Sequence, residues 1–177
     1  MYFLKSNVPK ACHQNRLFLG TTGSGKSTEM IKYLLQFNKF YPNINVRKVI
    51  IIAPMFHSAY QPIINMYGRD KCHYFTSLTE DILPLFDEDI SPESVCFLLI
   101  DDMGVEISKS NLLEKICTTM TRHKYLCVNM TFQGLFQFNT PQFKTICRNC
   151  SCIVLTNSPR ENHSVHILFS HIFGTGG

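Results

Sequence analysis

Apolar residues of this chain fall into short continuous runs that alternate with segments of helical periodicity. Runs that are rich in β-branched residues and bounded by turn signals are typical of strands covered on both faces of a sheet. Five such runs predict strands at residues 16–19, 46–53, 94–101, 125–131 and 152–156. Strands that alternate with helices predict an α/β domain with a mainly parallel sheet.

Helices are predicted in the intervals between these strands. The clearest one covers residues 27–37, because its apolar residues recur at helical spacing: Met30, Ile31, Leu34 and Leu35. The sequence SLTE at 77–80 has the form of a capping box and predicts a helix through about Phe86. Two more helices are predicted at 111–121 and 163–173.

The length and composition predict one globular domain. The 177 residues are 45% hydrophobic and 17% charged, which excludes a disordered composition. We expect a single domain over 1–177, with residues 1–15 as an N-terminal extension and 174–177 as a C-terminal tail. The net charge of +4 is scattered and therefore permits a nucleic-acid partner without requiring one.

The apolar runs are too short to predict a membrane segment. None reaches the roughly 18 residues that a spanning helix needs, and the N-terminus lacks the apolar core of a signal peptide. We therefore expect an intracellular protein that is not secreted. Its eight cysteines are then expected to be free thiols, buried small residues or metal ligands rather than disulfides.

The segment FLGTTGSGKST, residues 18–28, has the spacing of a phosphate-binding loop between a strand and a helix. The glycines allow backbone N–H groups to turn around phosphates at the positive end of the helix. Lys26 is expected to reach the β- and γ-phosphate oxygens of ATP, and the Ser27 hydroxyl to bind Mg²⁺. The expected nucleotide-binding residues are Gly20, Thr21, Thr22, Gly23, Ser24, Gly25, Lys26, Ser27 and Thr28.

Two adjacent carboxylates follow the apolar run FLLI at the end of the third predicted strand. Asp101 is placed to hold the Mg²⁺ shell, usually through water, and Asp102 to polarise the attacking water or accept its proton. The next predicted strand leads directly into Gln133, where a polar side chain can contact the γ-phosphate or the water. This order predicts a three-layer αβα sandwich of the P-loop NTPase (ASCE/RecA-like) class.

Four segments of the chain together resemble the viral genome-packaging ATPases of the FtsK/HerA superfamily. They are GTTGSGKST, FLLIDDM, TRHKYLCVNMTFQGLF and RNCSCIVLTNSPRENHSVHILFSHIF, and the resemblance covers about residues 17–173. The chain is most similar to the poxvirus-type branch, which Maverick/Polinton elements also carry. Two positions depart from the usual motifs, with Gly134 in place of Asn and Glu161 in place of Asp.

The resemblance implies a ring, a hexamer or pentamer, that uses ATP and Mg²⁺ to pump double-stranded DNA into a capsid. A capsid or portal-vertex protein is then a further expected partner. The family also implies that an arginine of one subunit completes the ATP site of its neighbour. Arg122 is the expected residue for this role, with Arg148 and Arg160 as reserves, because an arginine fork neutralises charge on the transferred phosphoryl group.

Two other functions fit the phosphate loop. A small nucleotide or nucleoside kinase needs an acceptor pocket and an arginine-rich lid, and no run of arginines is visible. A nucleic-acid-binding module that holds nucleotide without hydrolysing it, or is held together by zinc, is the other alternative. Its zinc ligands would be Cys147, Cys150, His166 and His171, with Cys152 and His163 as spares.

Overall fold

The computed structural model describes residues 13–133 and 140–156. Within them, six parallel strands form one sheet in the order β3-β2-β4-β5-β1-β6. The strands are β1 (Asn15–Gly20), β2 (Asn45–Ile52), β3 (Cys72–Phe75), β4 (Ser94–Ile100), β5 (Leu126–Gln133) and β6 (Cys152–Leu155). The predicted mainly parallel sheet is confirmed, and all five predicted strands are present within one or two residues of their expected bounds.

Helices cover both faces of the sheet. The α-helices are α1 (Lys26–Leu35), α2 (Phe37–Phe40), α3 (Gln61–Tyr67), α4 (Gly104–Ile107), α5 (Asn111–Lys115), α6 (Thr121–His123) and α7 (Pro141–Arg148). Two 3₁₀ segments, Ser58–Tyr60 and Glu80–Phe86, and a π-helical segment, Ile116–Met120, complete the elements. In the described ranges, no helix is both long enough and apolar enough to cross a membrane.

The strands alternate their side chains between two separate apolar cores. One core packs α1, α2 and α3 against the sheet, and the other packs Glu80–Phe86, α5, the π-helical segment and α7. In β4, for example, Phe97 enters the first core, where its ring lies 4.9 Å from that of Phe37, and Leu98 enters the second. Full burial of each such side chain contributes about 1.5–3 kcal/mol. The result is the expected three-layer αβα sandwich.

Two of the helix predictions are confirmed with a change of detail. The helix predicted at 27–37 is α1, followed after one residue by α2. The helix predicted at 111–121 runs through α5 and α6, with the π-helical segment between them. The helix predicted at 163–173 and the proposed tail at 174–177 lie outside the described residues.

The predicted capping box at 77–80 is wrong. The segment ends at Phe86 as expected, but it is a 3₁₀ helix that begins at Glu80, and no side chain caps it. The hydroxyl of Thr79 donates to the carboxylate of Asp81, at 2.9 Å, instead of serving the backbone. Pro84 lies inside the segment, and because proline lacks an N–H group it cannot support a regular α-helix there.

The register of the strands brings the predicted site residues to one edge of the sheet. Gly20 of β1 lies opposite Gln133 of β5, and Ile100 of β4 lies opposite Met130 of β5. Because the strands are parallel, the phosphate loop, the paired aspartates and Gln133 all follow or end strands at the same carboxyl edge. This edge is the place for a ligand in an open α/β sheet.

Candidate nucleotide-binding site

The loop between β1 and α1 is shaped by glycines at positions that other residues rarely adopt. Gly23 and Gly25 have φ angles of 76° and 88°, in the left-handed region, and Gly25 is the N-cap of α1. No side chain caps this helix. The backbone N–H groups in the first turn of an α-helix point outwards from its amino end, which is the arrangement that accepts a phosphate.

Gly20 is required by a close approach to the end of β6. A Cβ atom at Gly20 would lie 2.0 Å from Oγ1 of Thr156 and 2.7 Å from Oγ of Ser24. These two hydroxyls are hydrogen-bonded to each other at 2.6 Å, and Thr156 also donates to the carbonyl of Leu19 at 3.0 Å. The end of β6 therefore supports the phosphate loop from the side, a contact that sequence reasoning did not anticipate.

Lys26 lies at the start of α1 and is nearly buried, with 7% exposure. Its Nζ atom donates to the carbonyl of Thr21, at 2.7 Å, so the ammonium group is turned towards the loop. When a phosphate binds, the ammonium group of a lysine in this place can donate its hydrogen bonds to the phosphate oxygens instead of to the loop carbonyl. The structure thus places Lys26 where the motif predicts it.

Asp101 is 4% exposed, and its carboxylate accepts hydrogen bonds from three hydroxyl groups. Ser27 and Thr131 donate to Oδ1 at 2.8 and 2.6 Å, and Tyr60 donates to Oδ2 at 2.6 Å. Burial, and then the bond to Asp101, raises the pKa of Tyr60, so this hydroxyl stays protonated and remains a donor. Ser27 and Asp101 offer the hard oxygen atoms that Mg²⁺ prefers, and these residues therefore fit a magnesium ion.

Asp102 differs from its neighbour because it is exposed and has a left-handed backbone, with φ at 52°. Its N–H group donates to Oγ1 of Thr131 at 3.1 Å, and its carboxylate accepts a hydrogen bond from Nε2 of Gln133. Gln133 in turn accepts from the hydroxyl of Thr22 at 3.0 Å. A chain of hydrogen bonds thus connects the phosphate loop with the second aspartate through Gln133.

These groups surround a cavity of about 310 Å³. One wall is formed by the phosphate loop and by Asp101, Asp102 and Gln133, and the other by Ile31 and by residues of the segment 53–60, including Tyr60. A second cavity of about 520 Å³ lies between α2 and α3 and contains none of the predicted site residues. The smaller cavity is the candidate site, because the lysine and the carboxylates converge there.

Arg122 lies far from this cavity within the same chain. It belongs to α6, which precedes the amino end of β5, whereas the cavity is at the carboxyl end. The eight residues of β5 span roughly 25 Å. Near Arg122, burial and then the arginine charge lower the pKa of His13. Arg148 ends α7 at the same amino edge, and Arg160 lies outside the described residues.

The cysteines of the zinc hypothesis are free thiols: Cys147 is buried, and Cys150 and Cys152 are half-buried. Burial raises the pKa of Cys147 to about 12 and raises that of Cys150 well above its usual value. Zinc binds the thiolate, so these surroundings disfavour it. Residues 13–133 and 140–156 contain no group of three or more His, Cys, Asp or Glu side chains that could hold a metal. The expected histidine ligands and the spare, His163, His166 and His171, lie outside the described residues.

Three residues of the site were missed by sequence reasoning. Thr131 was placed in a predicted strand, and a polar residue two positions before Gln133 in an apolar strand is the signal that could have found it. Tyr60 and Thr156 carry no such signal, because their contacts depend on how β2 and β6 lie beside the central strands.

Solved structures share this fold, although no protein-family model and no curated protein match the sequence. The genome packaging NTPase B204 of Sulfolobus turreted icosahedral virus 2, in complex with ATP-gammaS, has a TM-score of 0.62 and 14% identity. The match covers 92% of this chain and 83% of B204. The cytoplasmic domain of EssC has a TM-score of 0.61 and 16% identity over 88% of this chain. ATPases 2 and 3 of Thermomonospora curvata EccC, in complex with a signal sequence peptide, have a TM-score of 0.50 and 13% identity over 80% of this chain.

The coverage of the longer proteins is partial, since this chain spans 33% of the EssC chain and 29% of the EccC chain. At identities of 13–16% the likeness establishes the fold. Membership of the FtsK/HerA superfamily, and of its poxvirus-type and Maverick/Polinton branch, stays a prediction. The chain has the P-loop NTPase fold, which it shares with these solved structures.

Proposed function

We propose that this chain is an ATP-hydrolysing motor that translocates double-stranded DNA and packages the genome of a virus or virus-like element into a capsid, inside the host cell. One observation carries the proposal: the phosphate loop, two aspartates and Gln133 meet around one cavity at the carboxyl edge of the sheet. The fold shared with a viral genome packaging NTPase, over 92% of this chain and 83% of that one, supports it.

The geometry supports attack by water on the terminal phosphate. Asp102 is exposed and lines the cavity, so its carboxylate can accept a proton from a water molecule. The amide nitrogen of Gln133 donates to Asp102 and can also donate to that water, while its amide oxygen accepts from Thr22 of the phosphate loop. Lys26 would neutralise charge on the phosphate oxygens.

Ser27 and Asp101 are the residues that would hold Mg²⁺, which supplies charge neutralisation to the β- and γ-phosphates when bound. The Ser27 hydroxyl already lies 2.8 Å from the carboxylate. Because Asp101 is nearly buried and accepts three hydrogen bonds, its carboxylate is fixed in place. This arrangement gives Asp101 and Asp102 different tasks: the first organises the metal, and the second faces the water.

The function is tested by ATP hydrolysis of the wild type and of Lys26→Ala, with and without double-stranded DNA. We expect slow hydrolysis by dilute protein, an increase with protein concentration and with DNA, and about a hundredfold lower kcat for Lys26→Ala. Lys32→Ala is the matched control, because Lys32 lies on the same helix, is exposed, and pairs only weakly with Glu29 at 3.6 Å.

The motor proposal fails if dilute monomeric protein hydrolyses ATP at its full rate and gains nothing from DNA or from concentration. The kinase alternative would use the same phosphate loop to transfer the terminal phosphate to a nucleoside or nucleotide instead of water. Phosphate transfer to nucleosides and nucleotides, measured beside the release of inorganic phosphate, separates the two. Tight ATP binding without either product would support the non-hydrolysing binding module.

A further inference from the structure

Tyr60 contacts the predicted magnesium carboxylate from the side of β2, and nothing in its sequence context predicts this. It ends the 3₁₀ segment that follows β2, is 3% exposed, and donates its hydroxyl to Oδ2 of Asp101 at 2.6 Å. Its ring lies 5.8 Å from that of Phe56, in edge-to-face contact. The ring is therefore anchored in an aromatic cluster while the hydroxyl reaches the site.

Thr131 contacts the same carboxylate from the opposite side, on β5. Its hydroxyl donates to Oδ1 of Asp101 at 2.6 Å and accepts the N–H of Asp102 at 3.1 Å. One threonine hydroxyl thus connects the side chain of Asp101 with the backbone of Asp102 through two hydrogen bonds. Since β5 and β2 are the two neighbours of β4, Asp101 is held from both sides of its own strand.

The hydrogen bonds to Asp101 leave few acceptor positions open on its carboxylate. An ionised carboxylate offers about four, two on each oxygen. Ser27 and Thr131 occupy those of Oδ1, and Tyr60 occupies one on Oδ2. The remaining position of Oδ2 is the one through which the carboxylate can serve a metal or its water. Without Tyr60, the same oxygen would have two equivalent positions and the carboxylate more freedom to rotate.

We propose that Tyr60 and Thr131 are positioning residues that fix the Asp101 carboxylate for Mg²⁺. The proposal rests on the proposed function, in which Asp101 holds the metal shell. In this role both residues act on the metal through Asp101. Partners that orient metal-ligating groups in this way typically change metal affinity by about 10- to 100-fold when they are removed.

The test measures metal binding separately from nucleotide binding. Mn²⁺ serves as the probe for Mg²⁺, and free Mn²⁺ is measured by electron paramagnetic resonance in the presence of a non-hydrolysable ATP analogue. For Tyr60→Phe, which keeps the ring and its packing, we expect about tenfold weaker Mn²⁺ binding. Binding of the analogue in EDTA should change less than about twofold, because the phosphate loop is intact.

Tyr74→Phe is the matched control. Its hydroxyl donates to the carbonyl of Ala53 at 2.7 Å, and its ring lies 5.4 Å from Phe56, so it belongs to the same aromatic cluster without contacting Asp101. We expect wild-type Mn²⁺ binding for this variant. A loss of Mn²⁺ binding equal to that of Tyr60→Phe would mean that the cluster, and not the bond to Asp101, is responsible, and would overturn the proposal.

A second pair of variants covers the case in which Tyr60→Phe does not fold. Thr131→Val keeps the shape of the side chain and removes the hydroxyl, and Thr131→Ser restores the hydroxyl. We expect weak Mn²⁺ binding for the valine variant and recovery for the serine variant. Wild-type Mn²⁺ binding by folded Tyr60→Phe or by folded Thr131→Val overturns the proposal. If the wild type binds neither the analogue nor Mn²⁺, the proposed function itself fails, and this inference fails with it.

Discussion

At the scale of single residues, the close approach of Thr156 to Gly20 shows why a side chain is disfavoured at the first glycine of the loop. The spacing of the motif predicted that Gly20 belongs to the phosphate loop, and the structure places it there. The sequence could not predict the reason, because Thr156 follows β6 and meets Gly20 only when β6 pairs with β1. A contact between residues 136 positions apart depends on the strand order, which no local pattern contains.

Gly20→Ala should lower the free energy of unfolding by about 2–4 kcal/mol, since the new Cβ atom overlaps Oγ1 of Thr156 and the backbone is strained. Denaturant titration measures the change. Gly23→Ala is the control for backbone strain alone, because a Cβ atom there meets nothing within 4 Å, and it should cost about 1–2 kcal/mol.

The part of this cost that is due to overlap can be isolated with Thr156→Ala, which removes Oγ1. We expect Gly20→Ala to cost about 1 kcal/mol less in the Thr156→Ala background than in the wild type. Additive effects of the two substitutions would show that the two residues do not compete for the same space.

At the scale of elements, α7 is positioned by the residue that precedes it. Thr140 is its N-cap: the hydroxyl accepts the N–H of Phe143 at 3.2 Å and donates to the carbonyl of Ser108 at 2.9 Å. Phe143 then packs against Phe132 of β5, with ring centroids 4.7 Å apart. One hydroxyl therefore both starts the helix and connects it to the turn after α4.

Removal of this hydroxyl should destabilise the fold more than the loss of an ordinary cap. Thr140→Ala is expected to lower the free energy of unfolding by about 2 kcal/mol, since it removes a cap and leaves a backbone carbonyl without its donor. Thr140→Ser keeps both bonds and should stay within about 0.5 kcal/mol of the wild type. Chemical denaturation of the three proteins measures this, and equal losses for alanine and serine would refute the role of the hydroxyl.

The strand β4 shows how strong burial makes an element predictable. Every residue of β4 is buried, and its continuous apolar run left no alternative to a covered strand. The elements that were missed have weaker patterns. All four residues of β3 are half-buried, and α3 and α7 are only seven and eight residues long. Short elements present too few periodic positions to distinguish a helix from a loop.

At the scale of the whole molecule, the position of Arg122 decides how subunits would have to meet. The arginine lies at the amino edge of the sheet and the cavity at the carboxyl edge, so one chain cannot bring them together. If Arg122 completes an ATP site, it does so in another copy, through a head-to-tail contact between unlike surfaces. Contacts of this kind produce closed rings when the rotation closes.

A mixture of two inactive variants tests this directly. Arg122→Ala and Lys26→Ala should each lose DNA-stimulated hydrolysis. Mixed before assembly in equal amounts, they should recover about a quarter of the wild-type rate, because an intact Lys26 then meets an intact Arg122 of a neighbour at that frequency. Recovery with Arg148→Ala in place of Arg122→Ala, and none with Arg122→Ala, would transfer the role to Arg148.

The overall architecture was predictable because the motifs, in their order, constrain the topology. A phosphate loop after the first strand and two aspartates after a later one require both strands to point to the same edge, and parallel strands with helical crossovers satisfy this. The partners of the molecule were not predictable to the same degree, because an interface depends on a second surface. The choice of lysines for contact with DNA illustrates this. The available positive charges include Lys109, Lys115, Lys124 and Lys144. Lys124 pairs with Asp87, and nothing in the sequence distinguished it from the other three.

The edge strand β3 affects how copies of this protein can associate. β3 is only four residues long and pairs with β2 alone among the described elements. A strand of this length offers few peptide groups for hydrogen bonds with the backbone of another chain. At high protein concentration, β3 is thus a poor starting point for joining the sheets of two copies into a fibril.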